Sequence, residues 1–127
     1  MLEPRPASSF LVSALRRKVE AAGGFATIIK KGDPVAGALL LVCLPQRGFA
    51  ESLQIAPESG PLPIILEREP SFDGPGKWRA IEGHNVDNKD KIEEYLTRRQ
   101  KVDPDLWIIE LDVADAERFA AEITLSA

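Results

Sequence analysis

One cysteine and one histidine in 127 residues leave little room for the commonest metal and nucleophile chemistries. With Cys43 alone an intrachain disulfide is excluded. A zinc site built from several histidines or thiolates is excluded with it. Cys43 lies in the apolar run Ala38-Leu39-Leu40-Leu41-Val42-Cys43-Leu44, where a thiol serves as a small core residue. A reduced, cytoplasmic setting fits that usage. No apolar run approaches the roughly 18–20 residues that span a bilayer. The N-terminus carries prolines and an acid rather than a basic head and a greasy stretch, so neither a membrane span nor a signal peptide is expected. A basic balance is also missing. The formal charge is −4, which argues against a dedicated nucleic-acid binder. There is no internal repeat, no low-complexity tract and no nucleophile-elbow pattern to pair a serine with His84.

What is present reads as one ordinary globular domain over residues 1–127, long enough to bury a core without staples. Apolar content is 44% and charged content 28%, close to globular averages. The charge is uneven: residues 1–31 carry +4 and residues 102–127 carry −6. Opposite ends of the chain could attract each other, or each could face a different partner.

Residues 1–7 form a loose lead-in. Ser8 or Ser9 is placed to cap a helix. Phe10, Leu11, Ala14, Leu15, Val19 and Ala22 then fall on one helical stripe, and Gly23-Gly24 ends it where a positive φ is easiest to adopt. Residues 25–31 read as a strand, residues 32–37 as a turn built on Asp33 and Pro34, and residues 38–44 as a central strand covered on both faces. Together these predict an antiparallel hairpin.

Residues 51–56 are a further strand candidate. Residues 57–75 are proline-rich and expected to be irregular, with a short edge strand at 64–67. Another strand is expected at 78–82. Asp87 or Asn88 caps a second helix near 88–101, with Ile92, Tyr95, Leu96 and Val102 on one stripe. Pro104 stops it, because it disfavours helical geometry at Asp103. Along the strand at 106–113, Trp107, Ile109, Leu111 and Val113 point one way; Leu106, Ile108, Glu110 and Asp112 point the other. A short helix closes the chain at 114–122. The expected fold is α+β: a mostly antiparallel four- to five-stranded sheet, two main helices packed on one face, and a short C-terminal helix.

No complete catalytic set emerges, so the catalytic residues are unknown and no cofactor is expected. His84 could be a general base, although a loop histidine making a local bond is the plainer reading. Asp105, Glu110 and Asp112 could hold a hard cation such as Mg²⁺ through oxygen ligands. That would suit a phosphodiesterase or nuclease-like hydrolase, against the plainer reading of a strand end emerging into water. The turn after Lys30 and Lys31 lacks the phosphate-loop order, and a strand rather than a helix follows it. Arg16, Arg17 and Lys18, with Lys30, Lys31, Arg98 and Arg99, could assemble a basic face for RNA. Aromatic interleaving for base stacking is sparse. Trp107 reads as a core anchor; Trp78, beside Lys77 and Arg79, reads equally as core or binding surface.

Three stretches carry a resemblance: Leu15-Arg16-Arg17 with the glycine and strand that follow, Lys31-Gly32-Asp33-Pro34-Val35-Ala36-Gly37 before an apolar strand, and Asp103-Pro104-Asp105-Leu106-Trp107-Ile108-Ile109-Glu110. Together they are similar to the alphaproteobacterial domain-of-unknown-function family 1491, over most of residues 10–112. Trp78-Arg79 falls where that family places a tryptophan and an arginine. The family pattern usually has an acid where Val35 stands. The resemblance implies a bacterial cytoplasmic domain and no established activity. Taken together, the residues point to a non-enzymatic macromolecule-binding or accessory module, with a protein partner or a homodimer. Its candidate binding residues are Arg16, Arg17, Lys30, Lys31, Asp33, Trp78, Arg79, His84, Asp103 and Asp105. The alternatives are the Mg²⁺-dependent hydrolase and RNA binding.

Overall fold

The computed structural model describes residues 7–45, 63–69, 77–81 and 89–126. In chain order the elements are α1 (Ser8–Ala21), β1 (Phe25–Lys30), β2 (Leu39–Cys43), β3 (Ile64–Glu69), β4 (Lys77–Ile81), α2 (Lys89–Val102), β5 (Trp107–Asp112) and α3 (Ala116–Ser126). The strands form one five-stranded sheet in the order β1-β5-β2-β3-β4. The α+β class and the strand number match the sequence reading. The possible strand at 51–56, His84 and the expected caps at Asp87 and Asn88 lie outside the described residues.

The sheet is mixed. β5 pairs antiparallel with β1 and parallel with β2, while β2, β3 and β4 are antiparallel in turn. The expected hairpin between the first two strands is therefore corrected, because β5 lies between them. Burial explains the choice. Every residue of β2 is buried, so this strand needs apolar neighbours along both edges. In β5, Trp107, Ile108, Ile109 and Leu111 are buried, whereas β1 has no fully buried residue. β5 offers β2 the larger apolar surface to exclude from water.

The two faces of the sheet are covered by different helices. Leu39, Leu41, Cys43, Trp107, Ile109 and Leu111 pack with Leu11, Val12, Leu15 and Val19 of α1 and with Ala116, Phe119, Ala120 and Ile123 of α3. The alternate positions Leu40, Val42, Ile65, Leu106 and Ile108 pack with Ile92 of α2, and Tyr95 and Leu96 lean on them. The two long helices thus lie on opposite faces, not on one. The alternation expected for β5 holds throughout.

Other elements depart from the sequence reading in instructive ways. Neither Ser8 nor Ser9 caps α1; Ala7 is the N-cap. Ser8 is buried within the helix, and its hydroxyl donates to the Gly37 carbonyl at 2.6 Å. The buried stripe is Ser8, Leu11, Val12, Leu15 and Val19, with Phe10 left 54% exposed. The residues at 64–69 form an interior strand, not an irregular stretch with a short edge strand. Prolines 63 and 70 flank it rather than interrupt its ladder. α3 runs through Ser126, longer than expected. Helix α1 ends as its glycines predict, with Gly23 at φ 87°.

Burial pushes the Cys43 thiol from an ordinary 9.0 up to about 12, and the nearby charge of Glu117 adds to the shift. The folded chain therefore holds this proton more tightly than the unfolded one. The associated stability is present in full below about pH 9 and is lost as pH rises towards about 12. Melting temperature should consequently fall more steeply over this alkaline window in the wild type than in Cys43→Ala. Parallel curves for the two proteins would contradict the assignment.

Candidate functional site

The two sequence motifs meet at one end of the sheet. β1 leads into the segment 32–37, and the Asp103–Trp107 turn leads into β5, so the β1–β5 pairing brings them side by side. The Asp33 amide donates to the Asp105 carbonyl at 3.0 Å, and the Trp107 indole Nε1–H donates to the Asp33 carbonyl at 2.7 Å. The Lys30 ammonium donates to the carbonyls of Pro104 at 2.5 Å and Leu106 at 3.0 Å. The approach is close enough to require glycine. A Cβ on Gly32 would overlap the Asp105 carbonyl and lie 2.7 Å from the Trp107 ring. One on Gly37 would strike the same carbonyl and the Asp33 carbonyl.

The carboxylates of these motifs hold their own turns. Asp33 Oδ2 accepts from the amides of Val35 at 3.1 Å and Ala36 at 2.7 Å, and Asp103 Oδ1 accepts from the Asp105 amide at 3.2 Å. The first turn of α1 closes the arrangement: the Ser8 and Ser9 amides donate to Val35 and Pro34 carbonyls at 3.1 and 2.9 Å. Lys30, Asp33, Asp103 and Trp107 thus form a clasp, and their named bonds run to the backbone of the clasp itself. It is a device for closing the fold.

A second polar cluster was not anticipated. Glu67 of β3 is buried on the α2 side of the sheet. Its Oε1 accepts from Arg99 Nη2, and its Oε2 lies 3.4 Å from the Tyr95 hydroxyl and 3.8 Å from Arg79 Nη2. Burial works against the Arg99 charge, but the hydrogen bond and charge of Glu67 outweigh it and raise the guanidinium pKa. Burial, then Glu67, raises the Tyr95 phenol, with Arg99 opposing. The sequence carried a signal for this cluster. Glu67 interrupts an apolar strand, and Arg99 stands where the Ile92–Tyr95–Leu96 stripe reaches its next turn. Val102, assigned to that stripe, is 77% exposed.

The remaining sequence candidates are spread out. Arg16 bonds Glu20 on the exposed side of α1 at 3.1 Å, and Arg17 and Lys31 are exposed. Because α1 and α2 lie on opposite faces, Arg16 and Arg17 do not share a face with Arg98 and Arg99. Trp78 is partly buried against the α1–α3 core. Arg79 sits on β4, three strands from β5, about 14 Å at ordinary strand spacing. It therefore does not converge with Asp33 and Asp105. Glu110 and Asp112 are half-buried on one face of β5, but Asp105 lies on the order of 15 Å of extended chain before Glu110. No group of three or more His, Cys, Asp or Glu side chains among the described residues is placed to hold a metal ion.

The surface does carry exposed apolar groups. Phe25 is 69% exposed and Ile29 54%, both on β1, which among the described residues pairs with β5 alone and leaves its other edge open. Val35 and Val102 are exposed beside the clasp. No helix among the described residues is long and apolar enough to cross a membrane.

The model of a family of proteins of unknown function, DUF1491, matches residues 7–121. No curated protein matches the sequence. Among solved structures, the crystal structure of a DUF1491 family protein from Caulobacter crescentus is similar, with 26% identity, coverage of 91% of this chain and 94% of that one, and a TM-score of 0.67. The NMR structure of a DUF1491 family protein from the same organism gives 26% identity, 94% and 93% coverage, and a TM-score of 0.62. A protein from A. tumefaciens, solved in solution, gives 25% identity, 85% and 86% coverage, and a TM-score of 0.62.

Proposed function

The chain belongs to the DUF1491 family, and from that premise we propose that it is a non-enzymatic, cytoplasmic protein-binding module working through the free edge of β1. The observation that carries this reading is the exposure of Phe25, Ile28 and Ile29 on a strand whose outer edge is open among the described residues. Open, apolar edges are costly to leave uncovered, because their amides and carbonyls template further strands. The opposite edge among the described residues, β4, is guarded by the charge of Arg79. β1 has one lysine within its span, and Lys30 is turned back onto the clasp carbonyls. The usual means of blunting an edge is therefore spent elsewhere. Strand addition is a general mode of protein recognition, with main-chain bonds supplying affinity and alternate side chains supplying specificity.

The test is photo-cross-linking in living cells, with a benzophenone amino acid replacing Phe25 in one variant and Arg17 in another. Phe25 samples the β1 edge, and Arg17 samples the basic side of α1. Protein adducts should form at the Phe25 position and be scarce at the Arg17 position. Equal yields at both, or adducts to nucleic acid at Arg17 with none at Phe25, would overturn the reading.

A further inference from the structure

Resting on that reading of the β1 edge, we infer that the partner is a second copy of this chain, joined by antiparallel pairing of β1 with β1 about a twofold axis through Thr27. A twofold interface must be complementary to itself, and the strand Phe25-Ala26-Thr27-Ile28-Ile29 has that property. Centred on Thr27, the pairing sets Phe25 opposite Ile29 of the other copy, twice, and Ala26 opposite Ile28, twice.

The faces agree as well. Ala26 pairs with Leu111 and Ile28 with Ile109 across β5, which places both on the α1 side of the sheet. Phe25 and Thr27 pair with Asp112 and Glu110, which places both on the α2 side. Residues directly opposite in an antiparallel ladder share a face, so the Thr27-centred register lays Ala26 against Ile28 on one side. The register also brings Phe25 opposite Ile29, which occupies the irregular position between Ile28 and Lys30. The two most exposed large apolar side chains of β1 would cover one another.

Charge selects the antiparallel sense and favours a like copy. The exposed Lys31 follows one end of the strand, while Glu110 and Asp112 flank the Thr27–Phe25 end through β5. Antiparallel association brings the basic end of each copy beside the acidic end of the other, twice per dimer. Parallel association would set like ends together. A single six-residue strand contact lies in the class of interfaces burying roughly 1,200 Å² or less, which are reversible. The dimer is accordingly concentration-dependent, and it joins two five-stranded sheets into one of ten strands.

Sedimentation from micromolar to millimolar protein tests this directly. The weight-average mass of the wild type should rise towards twice the 13.9 kDa of one chain. The Phe25→Lys/Ile29→Lys variant, altered at exposed positions, should keep the wild-type circular dichroism and stay at one chain's mass. Thr27→Cys provides a second readout that does not depend on that variant. Facing residues in an antiparallel pair lie about 4.5–5.5 Å apart at Cα, within the range a disulfide spans. Mild oxidation should therefore give a covalent dimer from Thr27→Cys and none from Ala80→Cys on the opposite edge strand. A wild type that remains monomeric at millimolar concentration overturns the inference. So does a dimer that Thr27→Cys links no better than Ala80→Cys. If the wild type is monomeric while the Phe25 cross-linker captures a different protein, self-pairing falls and the protein-binding reading stands. If the Phe25 position captures no protein, both fall.

Discussion

Trp107→Ala should lower the free energy of unfolding by about 4 kcal/mol, at the upper end for a single truncation in a small domain. The side chain is 3% exposed and lies in the core shared by α1, α3 and the sheet. Its removal leaves a cavity against Leu11, Leu39 and their neighbours. It also removes the indole donor to Asp33. The two contributions can be separated. Trp107→Phe keeps most of the apolar volume and loses the donor, and the Asp33 carbonyl still accepts from the Gly37 amide at 3.2 Å. That substitution should cost about 1–2 kcal/mol. Gly37→Ala attacks the same junction from the opposite side by pressing a methyl into backbone carbonyls, and should cost about 2 kcal/mol or more. Urea titrations at neutral pH measure all three. A Trp107→Ala loss below about 1 kcal/mol would show that the clasp does not close the fold.

The second large effect is expected at Glu67. Glu67→Ala leaves Arg99, whose side chain is only 23% exposed, without its carboxylate, and the cost should be about 3 kcal/mol. Arg79, 60% exposed at its side chain, can return to water and contributes little to that figure. The informative comparison is Glu67→Leu/Arg99→Met. Replacing both charges with apolar groups of similar size should recover most of the loss, because the penalty belongs to the stranded charge rather than to the missing pair. A double variant as unstable as Glu67→Ala would instead assign the cluster a packing role that leucine and methionine cannot fill. Denaturant midpoints for the three proteins decide between these outcomes.

Much of the local structure was legible from local chemistry. Gly23 takes the left-handed conformation that ends α1, Asp103 leaves α2 before Pro104, and β5 alternates as its apolar positions require. The larger arrangement was less so. A helical stripe says which side of a helix is buried, not which side of the sheet receives it. The unbroken apolar run of β2 was the available clue, since a strand buried on both faces needs cover from both. Strand order was harder still. Proximity in sequence favoured a hairpin between β1 and β2, and the deeper burial offered by β5 overrode it. At the candidate site, the acids of the two motifs attract attention as carboxylates, yet Asp33 and Asp103 spend them on neighbouring amides. Glu67 was overlooked because its partner Arg99 is distant in sequence and resembles one more solvated helix charge.

The position of β5 also governs when this protein can fold. Among the described residues β1 has no ladder partner in its own chain other than β5, and β2 lacks one whole edge without it. A nascent chain must therefore emerge through residue 112 before its first strand can join β2 in the sheet. Until then the apolar residues of β1 and β2 wait without their cover, at positions written long before the strand that joins them. The N-terminal half is not a unit that can set early and wait for the rest; the strand that joins β1 to β2 is the last of the five to be made.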